Sequence, residues 1–253
     1  MALVMTSFEP GGTERQMIEL IRRLDRERWD VHVACFHTRG AWFGRVADCA
    51  RVAVFPVRSF GRPGVATELR AFAAWCRTSR IALVHTVDMP ATIFGLPAAA
   101  AARVPVRIAN RREINPGRAA WKLAAQRAAY ACAHLVVANS RAVAARLAAE
   151  RVPPGKIALV RNGLPVRPGV PHPERPGLQR IVTVANLRRE KGYDVLIDAA
   201  PEILRRSPGA TFRAIGAGPE LVPLTQRTIE RRVDAAFTFG RPLRERIGAP
   251  GGG

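Results

Sequence analysis

Short apolar runs alternate with amphipathic stretches through most of this chain, and a chain patterned that way has few folds open to it. MALVMTS, WDVHVACF, ARVAVFPV, IALVHT, VPVRIAN, HLVVANS and KIALVRNG read as seven strands. Between most of them lie helical patterns. TERQMIELIRRL sets Met17, Ile18, Leu20, Ile21 and Leu24 on one face. ATELRAFAAWCRTS, the alanine-rich segment after Pro90, RAAWKLAAQRAAYACA and RAVAARLAAER follow, and Ser140 is placed to cap the last of these. Strand–helix alternation of this kind predicts an α/β fold, a parallel sheet with helices on both faces.

The pattern breaks at LPVRPGVPHPERPGLQ, whose five prolines and two glycines exclude a regular element. It then restarts. RIVTVANL, ATFRAIGAG and AAFTFG read as strands, with GYDVLIDAAPEILRRS and PELVPLTQRTIERR as helices between them. The expected organisation is an N-terminal Rossmann-type domain over 1–163, a linker over 164–179, a second α/β domain over 180–240 and a disordered tail over 241–253. Three strands are few for an open α/β domain and cover its apolar faces poorly, so the second domain reads as incomplete.

With 48% hydrophobic residues the chain is of globular composition. No apolar run reaches the roughly 20 residues of a membrane span. The best candidate, PATIFGLPAAAAA, is short and interrupted by Pro97. The N-terminus lacks the features of a signal peptide, so a cytoplasmic location is expected. Cys35, Cys49, Cys76 and Cys132 lie far apart without a CxxC pair, and are read as reduced and mostly buried. A net charge of +20 raises nucleic acid as a partner. Yet only three of the 40 basic residues are lysine, a bias that a GC-rich genome produces, and no zinc-finger spacing or aromatic RNA-binding run is present. Nucleic acid is not expected; an anionic membrane surface or phosphorylated substrates account for the charge at least as well.

Several short stretches carry candidate chemistry. SFEPGGTERQ joins the first strand to the first helix, with Thr13 as a candidate N-cap and Gln16 three residues on. Gly11 and Gly12 read either as a tight turn or as a loop that lets the backbone approach an anion at a helix N-terminus. NLRREKG places Arg188, Arg189 and Lys191 before a helix that begins near Gly192: a phosphate anchor or a solvated basic turn. IGAGPEL carries Gly216 and Gly218, but Leu221 stands where a dinucleotide fingerprint needs its third glycine. His85 and Asp88 follow the fourth strand. RAAWKLAAQRAAYACA combines Arg118, Trp121, Lys122 and Tyr130, residues suited to a membrane interface as well as to a half-buried helix.

Taken in order, EPGGTERQ, VVANSRAVAARL with KIALVRNGLP, VTVANLRREKGYDVLIDA and FRAIGAGPE resemble the GT-B glycosyltransferases, and within them family 4. The resemblance spans about residues 3 to 240. It implies two Rossmann-like doubly wound domains and a nucleotide-sugar co-substrate, with no cofactor and no metal. The leaving diphosphate would be stabilised by Lys191 and by Arg188, because the family's glycine–arginine position is Ala185-Asn186 here; Arg189 competes for that role. Gly11 and Gly12 would border the cleft and the donor phosphates, and Gly216 and Gly218 the nucleotide. His85 and Asp88 would hold a glycan or lipid-linked acceptor. Arg111 would fill the space of the family's histidine after the fifth strand. Peripheral contact with an anionic membrane is a further implied partner. The family's glutamate pair, separated by seven residues, and its closing helix have no match, which implies a C-terminally truncated member of low or no activity. The competing reading is a non-catalytic basic binding module for an anionic membrane surface or nucleic acid.

Overall fold

The computed structural model describes residues 1–62, 64–114, 119–163 and 179–240. The chain divides into two units, Met1–Arg167 and Pro168–Gly253. Most of the expected linker, the expected tail and Arg118 lie outside the described residues.

Unit 1 is a seven-stranded parallel sheet in the order β3-β2-β1-β4-β5-β6-β7. Its strands are β1 (Ala2–Met5), β2 (His32–Cys35), β3 (Arg51–Val54), β4 (Leu83–Thr86), β5 (Val106–Arg111), β6 (Leu135–Ala138) and β7 (Ile157–Leu159). Register follows from the pairing of Leu3 with Val33 on one side and with His85 on the other. The order reverses between β1 and β4, where the connections diverge to opposite faces.

Each face has its own packing. Leu3 and Met5 join Met17, Ile18 and Ile21 of α1 (Gly12–Arg23) and Val46 of α2 (Phe43–Ala47). Ala2, Val4 and Val84 join Phe72 of α3 (Gly64–Thr78) and Phe94 of α4 (Met89–Ala101). A third cluster unites Val136 and Ala138 with α5 (Ala120–Ala131) and α6 (Arg141–Ala149). The helix α4 continues through Pro97 and is buried on nearly every side. Gly95 lets it close on the sheet, since a Cβ there would lie 3.1 Å from Thr86 Cγ2.

Unit 2 has three parallel strands in the order β10-β9-β8: β8 (Arg180–Val184), β9 (Thr211–Ile215) and β10 (Phe237–Gly240). Ile181, Phe212, Ala214 and Phe237 face α7 (Tyr193–Arg206) and α8 (Leu221–Glu230) through one core. Phe212 and Phe237 stack with ring centres 5.4 Å apart.

The helix ends follow one rule that the sequence pattern did not show. Arg80, Arg103, Arg151 and Arg232 have φ between 49° and 62°. Each directly precedes a buried β-branched residue: Ile81, Val104, Val152 or Val233. The amide of that residue donates to the carbonyl five positions back, as in Ile81 to Cys76 and Val233 to Thr228. This is a Schellman closure with arginine in the left-handed position that glycine fills most easily.

Candidate functional site

In unit 1 the candidate residues gather at the carboxyl ends of β1, β4 and β5, beside the reversal of strand order, where open α/β sheets bind ligands. The loop after β1 is held by its neighbours. Phe8 is buried against Phe43, its amide donates to Arg39 O and its carbonyl accepts from Trp42. Gly40, at φ 127°, permits this approach, because a Cβ there would sit 2.2 Å from the Phe8 carbonyl carbon. The α1 helix is capped by extended Gly11, with no side-chain cap bond, so Thr13 does not cap it. Gln16 instead donates to Gly163 O at 2.8 Å.

Asp88 ties β1 to α4. Its carboxylate accepts from the Thr6 amide at 2.8 Å, from Thr6 Oγ1 at 2.6 Å and from the Ala91 amide at 2.9 Å, the last as N-cap of α4. Burial raises its pKa against those hydrogen bonds. Arg111 is 1% exposed, and its guanidinium is taken up inside the fold. It donates to Gln126 Oε1 at 2.5 Å, to Glu113 O at 2.7 Å, to Ile114 O at 3.4 Å and to Glu150 Oε1 at 3.3 Å. His85 points to the other face of β4 from α4. Burial, helped by the Arg112 charge, pushes its pKa down to about 4, and its buried Nε2 has no hydrogen-bond partner among the described residues.

Three residues outside the sequence-based set complete this region. Glu14, Asn110 and Arg112 line a cavity of about 300 Å³ together with Thr13, Asp88 and Arg111. Burial raises the Glu14 pKa, with Asp88 adding to the rise and Arg112 opposing it. Arg112 donates to Asn162 Oδ1 at 2.5 Å. Asn110 is 3% exposed, and its Oδ1 has no partner among the described residues. The signal for Asn110 was present in VPVRIAN: a polar side chain in phase with Ile108 at the end of a strand. Nothing in a single sequence distinguishes Arg112 from the saturated Arg111 beside it.

In unit 2, Gly192 is left-handed at φ 68° and stands at the N-cap of α7, which explains its place in NLRREKG. Arg188, Arg189 and Lys191 are exposed on the turn before it and form no ion pair among the described residues. Elsewhere in unit 2, Arg205 and Arg206 pair with Glu202, and Arg227 and Arg231 with Asp198. Arg188 and Arg189 line a cavity of about 270 Å³ with Tyr193, Glu220 and Arg227, and Lys191 lies outside that lining. Gly216 and Gly218 have a reason within the fold. A Cβ would stand 2.0 Å from Ala185 O at the first and 2.1 Å from Leu187 O at the second. The two loops also exchange backbone bonds, Leu187 N to Ala217 O and Glu220 N to Leu187 O. On α5, Tyr130 is 3% exposed and belongs to the core, not to a surface stripe with Trp121 and Lys122. No helix among the described residues is long and apolar enough to cross a membrane.

Comparison with known proteins agrees with this architecture. HepE of Anabaena, in complex with UDP and glucose, is similar with a TM-score of 0.75 at 20% identity, over 96% of this chain and 69% of that one. The lipopolysaccharide outer core galactosyltransferase WaaB gives 0.71 at 15% identity, over 96% and 68%. A glycosyltransferase of Rickettsia africae gives 0.71 at 13% identity, over the same shares of 96% and 68%. No curated protein matches the sequence. Two Rossmann-like units, each with a loop-lined strand end, make this a GT-B-type fold. The pattern of Glycosyltransferase Family 4 matches residues 10–168, well over half of the sequence, and the chain belongs to that family.

Proposed function

We propose that the chain takes a nucleotide sugar as donor and transfers its sugar to a glycan or lipid-linked acceptor, with retention at the anomeric carbon and without a metal. In that reaction the bond from the anomeric carbon to the donor phosphate oxygen breaks, and its electron pair leaves with the diphosphate. The acceptor hydroxyl oxygen forms the new bond, and its proton passes to the departing diphosphate. Negative charge grows on the leaving group, so fixed cations there lower the barrier. Lys191 supplies a compact charge and Arg188 a planar fork, with Arg189 as alternative. Gly216 and Gly218 keep the neighbouring loop close behind this turn. His85, Asp88 and Arg111 belong to the acceptor side in this reading, Asp88 and Arg111 as the groups that hold its walls, and the Gly11-Gly12 turn contacts the donor phosphates or the acceptor. The 180–240 segment serves as the donor domain and 1–163 as the acceptor domain.

The observation that carries the reading is the cluster of exposed, unpaired cations on the turn that opens α7. Family membership and the UDP and UDP-glucose complexes of HepE support it. Binding is the appropriate test, because the chain spans 69% of the length of HepE. UDP titrated calorimetrically should bind, and Lys191→Ala should weaken binding by about 1.5 kcal/mol or more, the lower range for a charge-assisted contact. Unchanged binding would remove Lys191 from the site; separate Arg188→Ala and Arg189→Ala variants assign the fork.

A basic module docking peripherally on the inner face of an anionic membrane is the second reading. Trp121 favours it: the indole is 62% exposed and the Lys122 ammonium lies 5.5 Å from its ring centre. Flotation with anionic vesicles, lost in Trp121→Ala, would support this; equal flotation of the variant would not.

A further inference from the structure

We infer that the unit 1 cavity selects an uncharged, hydroxyl-rich group, a single sugar unit, and that the Glu14 carboxylate is what keeps phosphate-bearing groups out. This rests on the acceptor-side reading above and adds its selectivity.

The chain as a whole is strongly basic, so an anion would be the first guess for any of its cavities. The wall of this one says otherwise. Three acidic residues, Glu14, Asp88 and Glu113, line it. Of its two arginines, Arg111 is saturated by Gln126, Glu150 and two backbone carbonyls. Arg112 is shared between Asn162 and the opposing charge of Glu14. A phosphate would meet like charges, and Arg112, the arginine not saturated, already has its charge opposed by Glu14.

Hydroxyls meet a complementary surface instead. The Asn110 amide nitrogen points to Met17 Sδ at 4.0 Å. A thioether sulfur accepts and cannot donate, so the Asn110 oxygen is the atom left facing away, buried and without a partner. Buried polar atoms are rarely left so, and one that lines a cavity calls for a donor from a ligand. Asn139, outside the lining, donates its amide to Arg112 O at 3.4 Å and so braces the backbone of that wall. A hydroxyl donates to Asn110 Oδ1 while its neighbour accepts from a remaining Arg112 N–H, the pattern a vicinal diol satisfies. The cavity, about 300 Å³, is of a size for one sugar ring.

The glycine pair fits the same account. A Cβ at Gly11 would lie 2.3 Å from Glu14 Oε2, so the carboxylate folds back over a residue that has no side chain. At Gly12 a Cβ would meet nothing within 4 Å. Gly11 therefore seats Glu14, and Gly11→Ala should act as a weaker version of losing Glu14.

Saturation-transfer NMR on the full chain, with glucose, galactose, N-acetylglucosamine and glucose 6-phosphate as probes, tests this. The wild-type protein should saturate with at least one neutral sugar and bind glucose 6-phosphate about tenfold more weakly or worse. Glu14→Gln should keep neutral-sugar binding and bring the phosphate ester within about threefold of it, by removing charge but not size. Asn110→Leu should weaken the neutral sugar about tenfold with the circular dichroism unchanged. Equal or better binding of glucose 6-phosphate by the wild type, no neutral sugar saturating, or an unchanged preference in Glu14→Gln would each overturn the inference. UDP titration run in parallel separates the two readings. UDP binding through Lys191 without sugar selectivity sinks only this inference. Sugar selectivity without UDP binding sinks the transferase reading and leaves the cavity.

Discussion

In unit 1 the strand β1 reads Ala2, Leu3, Val4, Met5 and is buried at every position, whereas in unit 2 the strand β8 leaves Val182 54% and Val184 74% exposed. Both strands are parallel and of similar length. The difference lies in what covers them. Helices pack on both faces of β1, and a strand covered twice has no polar phase. Among the described residues the unit 2 sheet has helices on one face only, and β9 alternates Thr211, Phe212, Arg213, Ala214 accordingly. Period-two alternation in a parallel strand is thus a measure of how many faces are covered, and TFRAI carried it in plain view.

The contrast can be broken most forcefully at the smaller core. Phe212→Ala should cost about 3–5 kcal/mol, comparable with the whole stability of a unit this size, and should unfold unit 2. Phe72→Ala removes as much from unit 1, where Phe55, Trp75 and Phe94 surround the site, and should lower its melting temperature without abolishing the fold. All four tryptophans, Trp29, Trp42, Trp75 and Trp121, are in unit 1, so indole fluorescence follows that unit alone while amide exchange follows unit 2. A coincident loss of both signals in Phe212→Ala would refute independent units.

Acid should separate the units next. His85, ordinarily at 6.5, is held at about 4 by burial. The unfolded chain takes up that proton first, so unit 1 keeps its full stability above pH 6.5 and loses it as pH falls toward 4, by on the order of 3 kcal/mol. In unit 2, the Arg227 hydrogen bonds, with Arg231 behind them, pull Asp198 from 3.8 down to about 2. That contribution is present above pH 3.8 and fades only as pH falls toward 2. Denaturant titrations, read by fluorescence for unit 1 and by amide exchange for unit 2, should therefore show unit 1 weakening in the range where unit 2 does not, and His85→Gln should flatten the unit 1 response.

Ion pairs sharpen the same comparison. Arg111→Met leaves Gln126 and Glu150 short of a buried donor, and although Arg146 still holds Glu150 at 2.8 Å, the loss should be about 2–3 kcal/mol. Arg205→Met on the open surface of unit 2 should leave the stability of that unit essentially unchanged. Comparable losses in urea unfolding would show that burial is not the deciding variable.

The smallest effect is one the units share. Arg151→Gly and Arg232→Gly each remove a left-handed non-glycine residue from a helix end. Relief of that strain, partly offset by the greater freedom of glycine in the unfolded chain, should stabilise each unit by a few tenths to about 1 kcal/mol. Destabilisation in either variant would mean that the arginine side chain contributes more than its backbone costs.

Ten strands and seven of the helices were legible in the sequence, because burial between helix layers writes itself into continuous apolar runs. The short helix α2 was not: five residues carry too little periodicity. At the helix starts, Ser140 was readable since its hydroxyl accepts from the Val143 amide at 3.2 Å. Thr13 was misassigned because Gly11 opens the helix two residues earlier. Glycine offers no local signal to separate a cap from a loop.

What the sequence determined by itself is the α/β class, the two-unit organisation in outline, and the turn before α7, whose cations crowd a helix start. These rest on interactions between residues a few positions apart, and local pattern records them. Only the tertiary structure decided which polar groups are spent and which are available. Arg111 and Arg112 are neighbours of the same type, yet one is enclosed by side chains from 15 and 39 positions away while the other faces a cavity beside Glu14. Gly216 and Gly218, read from the sequence as a loop bordering a nucleotide, also stand where one backbone passes another. Contacts so distant along the chain leave no trace in spacing or composition, and the chemistry of a site is set by them.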